Sequence, residues 1–188
     1  CFVRSKDPPD PEGTTVPHPQ RVTALRSEFA QAFTDPKGVP ARSFHCEMDM
    51  PLLPGARLPP PRAFEVPHRQ RHVLTAWLDK CVRNGWVREQ MSPVNSPVFC
   101  VPKADGSWRV VCDFRGTNSV SKNFYQSNIE STTRLVERLA EAKMLSSADA
   151  QDGFYQLPLK AADQCLTAFT VDRKQYVFLV APQGLKNT

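Results

Sequence analysis

The chain has 188 residues and a formal charge of +5, from 24 basic and 19 acidic side chains. That length buries a real core as one domain or two small ones. It holds no run of about 18 apolar residues and no basic-then-apolar leader, so no membrane partner or secretory route is predicted and a cytoplasmic or nuclear setting is expected. The six cysteines, at 1, 46, 81, 100, 112 and 165, lack the short spacings of zinc ribbons or redox motifs and are expected to be reduced.

Charge is uneven along the chain. Residues 1–67 and 126–188 are each balanced, whereas residues 68–125 carry nine Lys or Arg against four Asp or Glu. That segment is the candidate polyanion contact, with an ordinary solvated face as the alternative. The first residue is Cys1, and the last stretch, "PQGLKNT", is turn-like, so the chain is expected to be an excised piece of a longer product.

Of 18 prolines, nearly twice the usual share, 13 precede residue 68, so residues 1–67 form a largely extended, proline-rich N-terminal extension. One helix is predicted inside it over about 21–34, from Val22, Leu25, Phe29 and Phe33 at helical spacing before Pro36. The stretch "PLLPGARLPPPRAFEVP", 51–67, reads as a polyproline-like strap over a neighbouring surface or as a plain linker.

A stronger helical pattern follows over 69–84. Leu74, Trp77, Leu78, Cys81 and Val82 share one stripe, and Asn84-Gly85 is the stop signal. Two β-rich runs joined by Ala104-Asp105-Gly106-Ser107 predict a hairpin across "SPVFCVPKADGSWRVVCDFR". On its second strand Val110, Cys112 and Phe114 take one face; Arg109, Val111, Asp113 and Arg115 take the other. An aspartate between two arginines suits a guanidinium held in order, or a surface ion pair.

A helix over about 131–142 leads into a short strand at 144–148 that ends on Asp149. Locally, Asp149 reads as a turn aspartate, a helix cap, or a side chain projected from a strand end into a cleft. Next, "CLTAFTV" and "KQYVFLVA" bracket Asp172-Arg173 as a second hairpin. The order predicts an α+β fold with antiparallel hairpins packed with helices.

From Leu25 onward the sequence resembles the N-terminal part of retroelement reverse transcriptases, most closely those of Ty3/gypsy-type LTR retrotransposons and, in places, those of retroviruses. The matching pieces run in order: "LDKCVRNGWVREQMSPVNSPVFCVPKADGSWRVVCDFRGTN", "KMLSSADAQDGFYQLPL", "TAFT" and "QYVFLVAPQGLKN". The resemblance implies part of a right-hand polymerase. Residues 68–123 and 159–183 would be fingers and 124–158 the start of the palm, with the rest of the palm after 188.

It implies that Asp149 is the first of three catalytic carboxylates that bind two Mg2+ ions, with the Ala150 carbonyl as a further ligand. Lys103, Arg109 and the backbone near Asp152 and Gly153 would grip the triphosphate. Phe154 would be the steric gate against a 2'-hydroxyl, Gln183 would line the nucleotide pocket, and Asp113 with Arg115 would stand beside the template. The implied partners are an RNA or DNA template-primer, dNTP, and the remaining palm, thumb and RNase H of the same polyprotein. The implied function is RNA-directed DNA synthesis, with a domesticated non-catalytic nucleic-acid-binding or structural module as the alternative.

Some positions depart from the family pattern. The Tyr-Pro-Leu-Pro element before the palm helix is replaced by "FYQSNI", the spacing to Asp149 is about three residues longer than the family's, and Thr117 and Ala181 replace larger apolar residues. The Tyr-X-Asp-Asp motif with the other two carboxylates is expected beyond Thr188, so these 188 residues alone are expected to be inactive.

Overall fold

The computed structural model describes residues 19–30, 34, 35, 37–40, 47–123, 131–141 and 150–187. The strand expected at 144–148, Asp149 and the "FYQSNI" stretch lie outside them. The chain divides into two compact units, residues 1–36 with 126–151 and residues 37–125 with 152–188.

The described part of the first unit contains helices α1 (Pro19–Glu28) and α4 (Thr132–Glu141). Of the expected 21–34, α1 covers the part up to Glu28, and 31–33 lie outside the described residues; Leu25 and Phe29 are exposed. The α4 stripe of Leu135, Val136 and Leu139 is also exposed. The spacing sets out a helix in each case, and the apolar side chains named here are exposed.

The second unit begins its regular structure with α2 (His68–Arg83). Its last turn closes when the Asn84 amide reaches the Lys80 carbonyl at 3.0 Å and the Gly85 amide reaches that of Val82 at 2.9 Å. Gly85 takes φ +67°, a left-handed stop that glycine adopts without a Cβ clash. Leu74, Leu78 and Cys81 are buried, whereas Val82 is 49% exposed, a correction to the predicted stripe. At 3.6 residues per turn Val82 lies about 80° round the helix from Leu74, beyond the buried face.

Strands β2 (Val98–Pro102) and β3 (Trp108–Cys112) form the predicted hairpin, with Val101 opposite Arg109. Asp105 closes its turn by accepting from the Ser107 amide and hydroxyl, at 2.9 and 2.6 Å, and Gly106 takes φ +80°. Val110 and Cys112 pack on the core and Arg109 is exposed, but the strand stops at Cys112. Phe114 has φ −86°, ψ 10° and starts helix α3 (Arg115–Val120), so Arg115 lies on a helix rather than on the strand face with Arg109.

Strand β1 (Val87–Glu89), β4 (Phe169–Val171) and β5 (Lys174–Phe178) make an antiparallel sheet in the order β1-β5-β4. The second hairpin turns at Asp172 and Arg173, both at positive φ, 48° and 66°, the pair of left-handed residues that a two-residue hairpin needs. Its first strand is shorter than "CLTAFTV". Gln164–Thr167 is a 3-10 helix, because the Thr167 hydroxyl bonds back to the Gln164 carbonyl at 2.7 Å while accepting the Phe178 amide at 2.9 Å.

The core lies between α2, the β-sheet and α3. Phe178, 1% exposed, has its ring centroid 5.1 Å from Phe169, 6.2 Å from Trp77, 6.4 Å from Phe114 and 6.2 Å from Tyr155. Burying each such ring contributes a few kcal/mol, roughly 1.5–3 by area. Thr117 is a satisfied polar member of this core: its hydroxyl donates to the Leu166 carbonyl at 3.1 Å.

Residues 51–67 are a strap laid on this unit rather than a free linker. The Leu53 amide bonds the Val120 carbonyl and the Pro51 carbonyl accepts from Lys122, both at 2.8 Å. Arg62 and Asn95 are paired twice: the Arg62 amide reaches the Asn95 carbonyl at 2.9 Å, and the Asn95 side chain reaches the Arg62 carbonyl at 2.6 Å. Gly116 admits Pro59, since a Cβ there would come within 3.2 Å of the proline.

Candidate nucleotide site

The hairpin turn presents two exposed cations from opposite strand ends. Lys103, whose amide bonds the Ser107 carbonyl at 2.8 Å, and Arg109 both line one surface pocket with Val101, Pro102, Ala104 and Asp105. Arg109 also lines a second pocket, of about 280 Å³, whose walls include Trp77, Cys112, Tyr155, Phe178 and Gln183. Arg109 thus joins Lys103 on one side to Gln183 on the other. An apolar, aromatic-floored hollow rimmed by a guanidinium and an amide suits a flat heteroaromatic ring attached to an anion.

Gln183 is exposed on a turn that the fold holds firmly. Gly184 takes φ +98°, and its carbonyl accepts from Asn118 Nδ2 at 2.9 Å. Asn118 Oδ1 accepts the Lys186 amide at 2.8 Å, and Lys186 Nζ returns to the Asn118 and Ser121 carbonyls, at 3.1 and 3.0 Å, at the end of α3. Asn118 and Lys186 were not singled out in the sequence. The contact spans 66 residues of chain, and no local pattern announces it.

Asp113 and Arg115 belong to a different cleft. Arg115 donates to Asp113 from Nε at 2.8 Å and from Nη2 at 2.6 Å, while its amide reaches Asp113 Oδ1 at 3.1 Å. These bonds hold the Asp113 carboxyl below the usual carboxylate range. Asp113 thus orients a guanidinium, that of Arg115. Both line a cleft of about 750 Å³ with the strap residues Arg57, Pro59 and Arg62.

Asp152 has φ 50° and ψ 35° and opens a 3-10 turn, Gly153–Gln156, in which the Tyr155 amide bonds the Asp152 carbonyl at 2.9 Å. The turn points two adjacent aromatics apart. Phe154 is 41% exposed, whereas Tyr155 packs on Trp86 with centroids 4.3 Å apart. Phe154 is therefore free of the core. Ala150, in the first unit, is exposed.

Burial disfavours the thiolate form of the buried cysteines. Burial pushes the Cys81 pKa up to about 12 and raises that of Cys112 further. Among the described residues no group of three or more His, Cys, Asp or Glu stands together to hold a metal. Asp149, to which the sequence resemblance assigns the metal, lies outside the described residues.

Residues 101–188 match the family model described as reverse transcriptase (RNA-dependent DNA polymerase). The chain is 31% identical over 133 residues to the retrovirus-related Pol polyprotein from transposon opus of Drosophila melanogaster, covering 67% of this chain and 13% of that protein. It is 30% identical over 129 residues to the Pro-Pol polyprotein of feline foamy virus, covering 65% of this chain and 11% of that protein. The chain thus spans about a tenth of the length of the curated relatives it matches. Among solved structures, the prototype foamy virus protease-reverse transcriptase is 25% identical with a TM-score of 0.70, over 89% of this chain and 22% of that one. The foamy viral protease-reverse transcriptase in complex with RNA/DNA hybrid has the same TM-score at 23% identity, over the same shares of the two chains. The α+β arrangement of hairpins and helices is that of a polymerase fingers and palm fragment.

Proposed function

We propose, on the premise that this chain belongs to the retrovirus-like reverse transcriptases, that its second unit forms the fingers side of a dNTP pocket in an RNA-directed DNA polymerase. The observation that carries this reading is the position of Arg109, which lines one pocket with Lys103 and another with Gln183. The guanidinium presents fixed donors to phosphate oxygens, and Lys103 adds a mobile point charge. The aromatic hollow beside Gln183 takes the base.

Phe154 is the wall against a 2'-hydroxyl, and the Asp152–Gly153 backbone takes the triphosphate end. Asp149, with the Ala150 carbonyl, would hold Mg2+ together with carboxylates from the rest of the palm. Bound there, the ions would supply charge neutralisation for attack of the primer hydroxyl on the α-phosphate. The cleft between the strap and Asp113–Arg115 takes the template strand, with Arg57, Arg62 and Arg115 facing its phosphates. RNA/DNA hybrid and double-stranded DNA, the ligands in two foamy viral reverse transcriptase complexes, are the proposed polymer partners.

Titration of the 188-residue chain with Mg·dTTP tests the pocket. Arg109→Ala should weaken binding about tenfold or more, as expected for loss of a charge-assisted contact worth about 1.5–3 kcal/mol. Equal affinity in wild type and variant would remove Arg109 from the site.

A further inference from the structure

The turn assigned to the triphosphate is tied to α2 by contacts that the functional reading does not use. Lys80 Nζ donates to Asp152 Oδ2 at 2.8 Å, from a position 72 residues earlier in the chain. The same ammonium stands 5.3 Å from the centroid of the Trp86 ring, and that ring lies 4.3 Å from Tyr155, three residues beyond Asp152. A circuit results: Asp152 to Lys80, Lys80 to Trp86, Trp86 to Tyr155, and Tyr155 back to Asp152 through its amide. Both ends of the 3-10 turn are thereby anchored.

Two features make the anchor matter. Asp152 is a non-glycine residue in the left-handed region, so the turn holds its shape only if its surroundings fix it. Its carboxylate is also a negative charge at the head of a turn that, on the functional reading, receives a polyanion. Unpaired, it would repel the incoming phosphates. Lys80 supplies the compensating positive charge from outside the pocket residues.

We propose that Lys80 is a positioning residue for triphosphate binding. By pairing with Asp152 and resting on Trp86, it holds the Asp152–Gly153 amides in their receiving geometry and cancels the carboxylate that would oppose the ligand. It touches the turn rather than the nucleotide. The proposal rests on the nucleotide reading above and deepens it by assigning the outer support of the triphosphate end.

The test is NMR titration of the isotopically labelled 188-residue chain with Mg·dTTP and, separately, with dTMP, which lacks the two outer phosphates. In Lys80→Met, dTTP affinity should fall about fivefold, the upper end for a half-exposed ion pair, and the dTTP-induced shifts of the Gly153 and Phe154 amides should shrink. Those of Arg109 should persist, and dTMP affinity should be unchanged. Lys80→Arg should restore the wild-type response, and Asp152→Asn, which removes the opposing carboxylate together with the pair, should lose less dTTP affinity than Lys80→Met.

Equal loss of dTTP and dTMP binding, or uniform shifts through α2 and the core, would make Lys80 an ordinary structural residue and overturn the proposal. Unchanged dTTP binding in Lys80→Met would do the same while leaving the pocket assignment intact. Failure of the wild-type chain to bind dTTP would defeat the pocket assignment itself, and this proposal with it.

Discussion

Asn118 holds Gly184: its side-chain amide donates to the Gly184 carbonyl at 2.9 Å, and its oxygen accepts the Lys186 amide at 2.8 Å. A half-buried residue on α3 thereby fixes both sides of the turn that presents Gln183. Replacing Asn118 by Ala leaves two backbone groups without their partners, at a cost of about 1–3 kcal/mol. Denaturant unfolding should show that loss, and amide exchange at 184–186 should speed up. A midpoint unchanged from wild type would mean that water serves the turn equally well.

The pair Asp113–Arg115 sets an acid limit. Because hydrogen bonds from Arg115 lower the folded-state pKa of Asp113, its contribution to stability is present above the unfolded value of about 4. It disappears as the pH falls through the lower folded value. Asp113→Asn should therefore be less stable than wild type at neutral pH, with the gap closing at acid pH. Urea midpoints measured down the acid range give the comparison; a gap that stayed constant would remove the pair as its source.

Arg173 sits at φ 66°, where a side chain is strained. Arg173→Gly relieves that strain at an exposed hairpin tip, and a gain of about 1 kcal/mol is expected after the entropy that glycine costs in the unfolded chain. Thermal unfolding checks the sign. A clear loss would show that the guanidinium makes a contact that outweighs the backbone.

How much of this was legible in the sequence depends on where each feature draws its stability. The β2–β3 turn was readable because Asp105-Gly106 carries its own turn chemistry, and α2 because its stop, Asn84-Gly85, is local. Arg109, Lys103 and Gln183 were named from family motifs, and the fold brings Arg109 beside each of the others. The sheet order was not readable: β1 is three residues long and pairs with β5 about 90 positions away. Neither was the Lys80–Asp152 bond, since nothing near either residue points to the other. Thr117 looked like a departure from the family, yet its hydroxyl finds the Leu166 carbonyl inside the core.

The excess of nine basic over four acidic residues in 68–125 should show itself as salt-dependent binding of an RNA/DNA hybrid. Fluorescence anisotropy at several salt concentrations should give a falling log-log slope, reduced by about one in Arg62→Ala or Arg115→Ala if each meets one phosphate. A slope indifferent to both substitutions would move the polymer away from the strap cleft.

Primer extension with a polypeptide extended through the Tyr-X-Asp-Asp part of the palm tests the account most directly, by comparing dNTP and rNTP incorporation in two variants. Asp149→Asn should lower turnover roughly a thousandfold or more, through loss of charge stabilisation worth several kcal/mol, with template binding retained. Phe154→Val should keep deoxynucleotide incorporation and admit ribonucleotides. Retained turnover in the asparagine variant, together with unchanged sugar discrimination in the valine variant, would contradict the assignment of this chain to the nucleotide site of a polymerase.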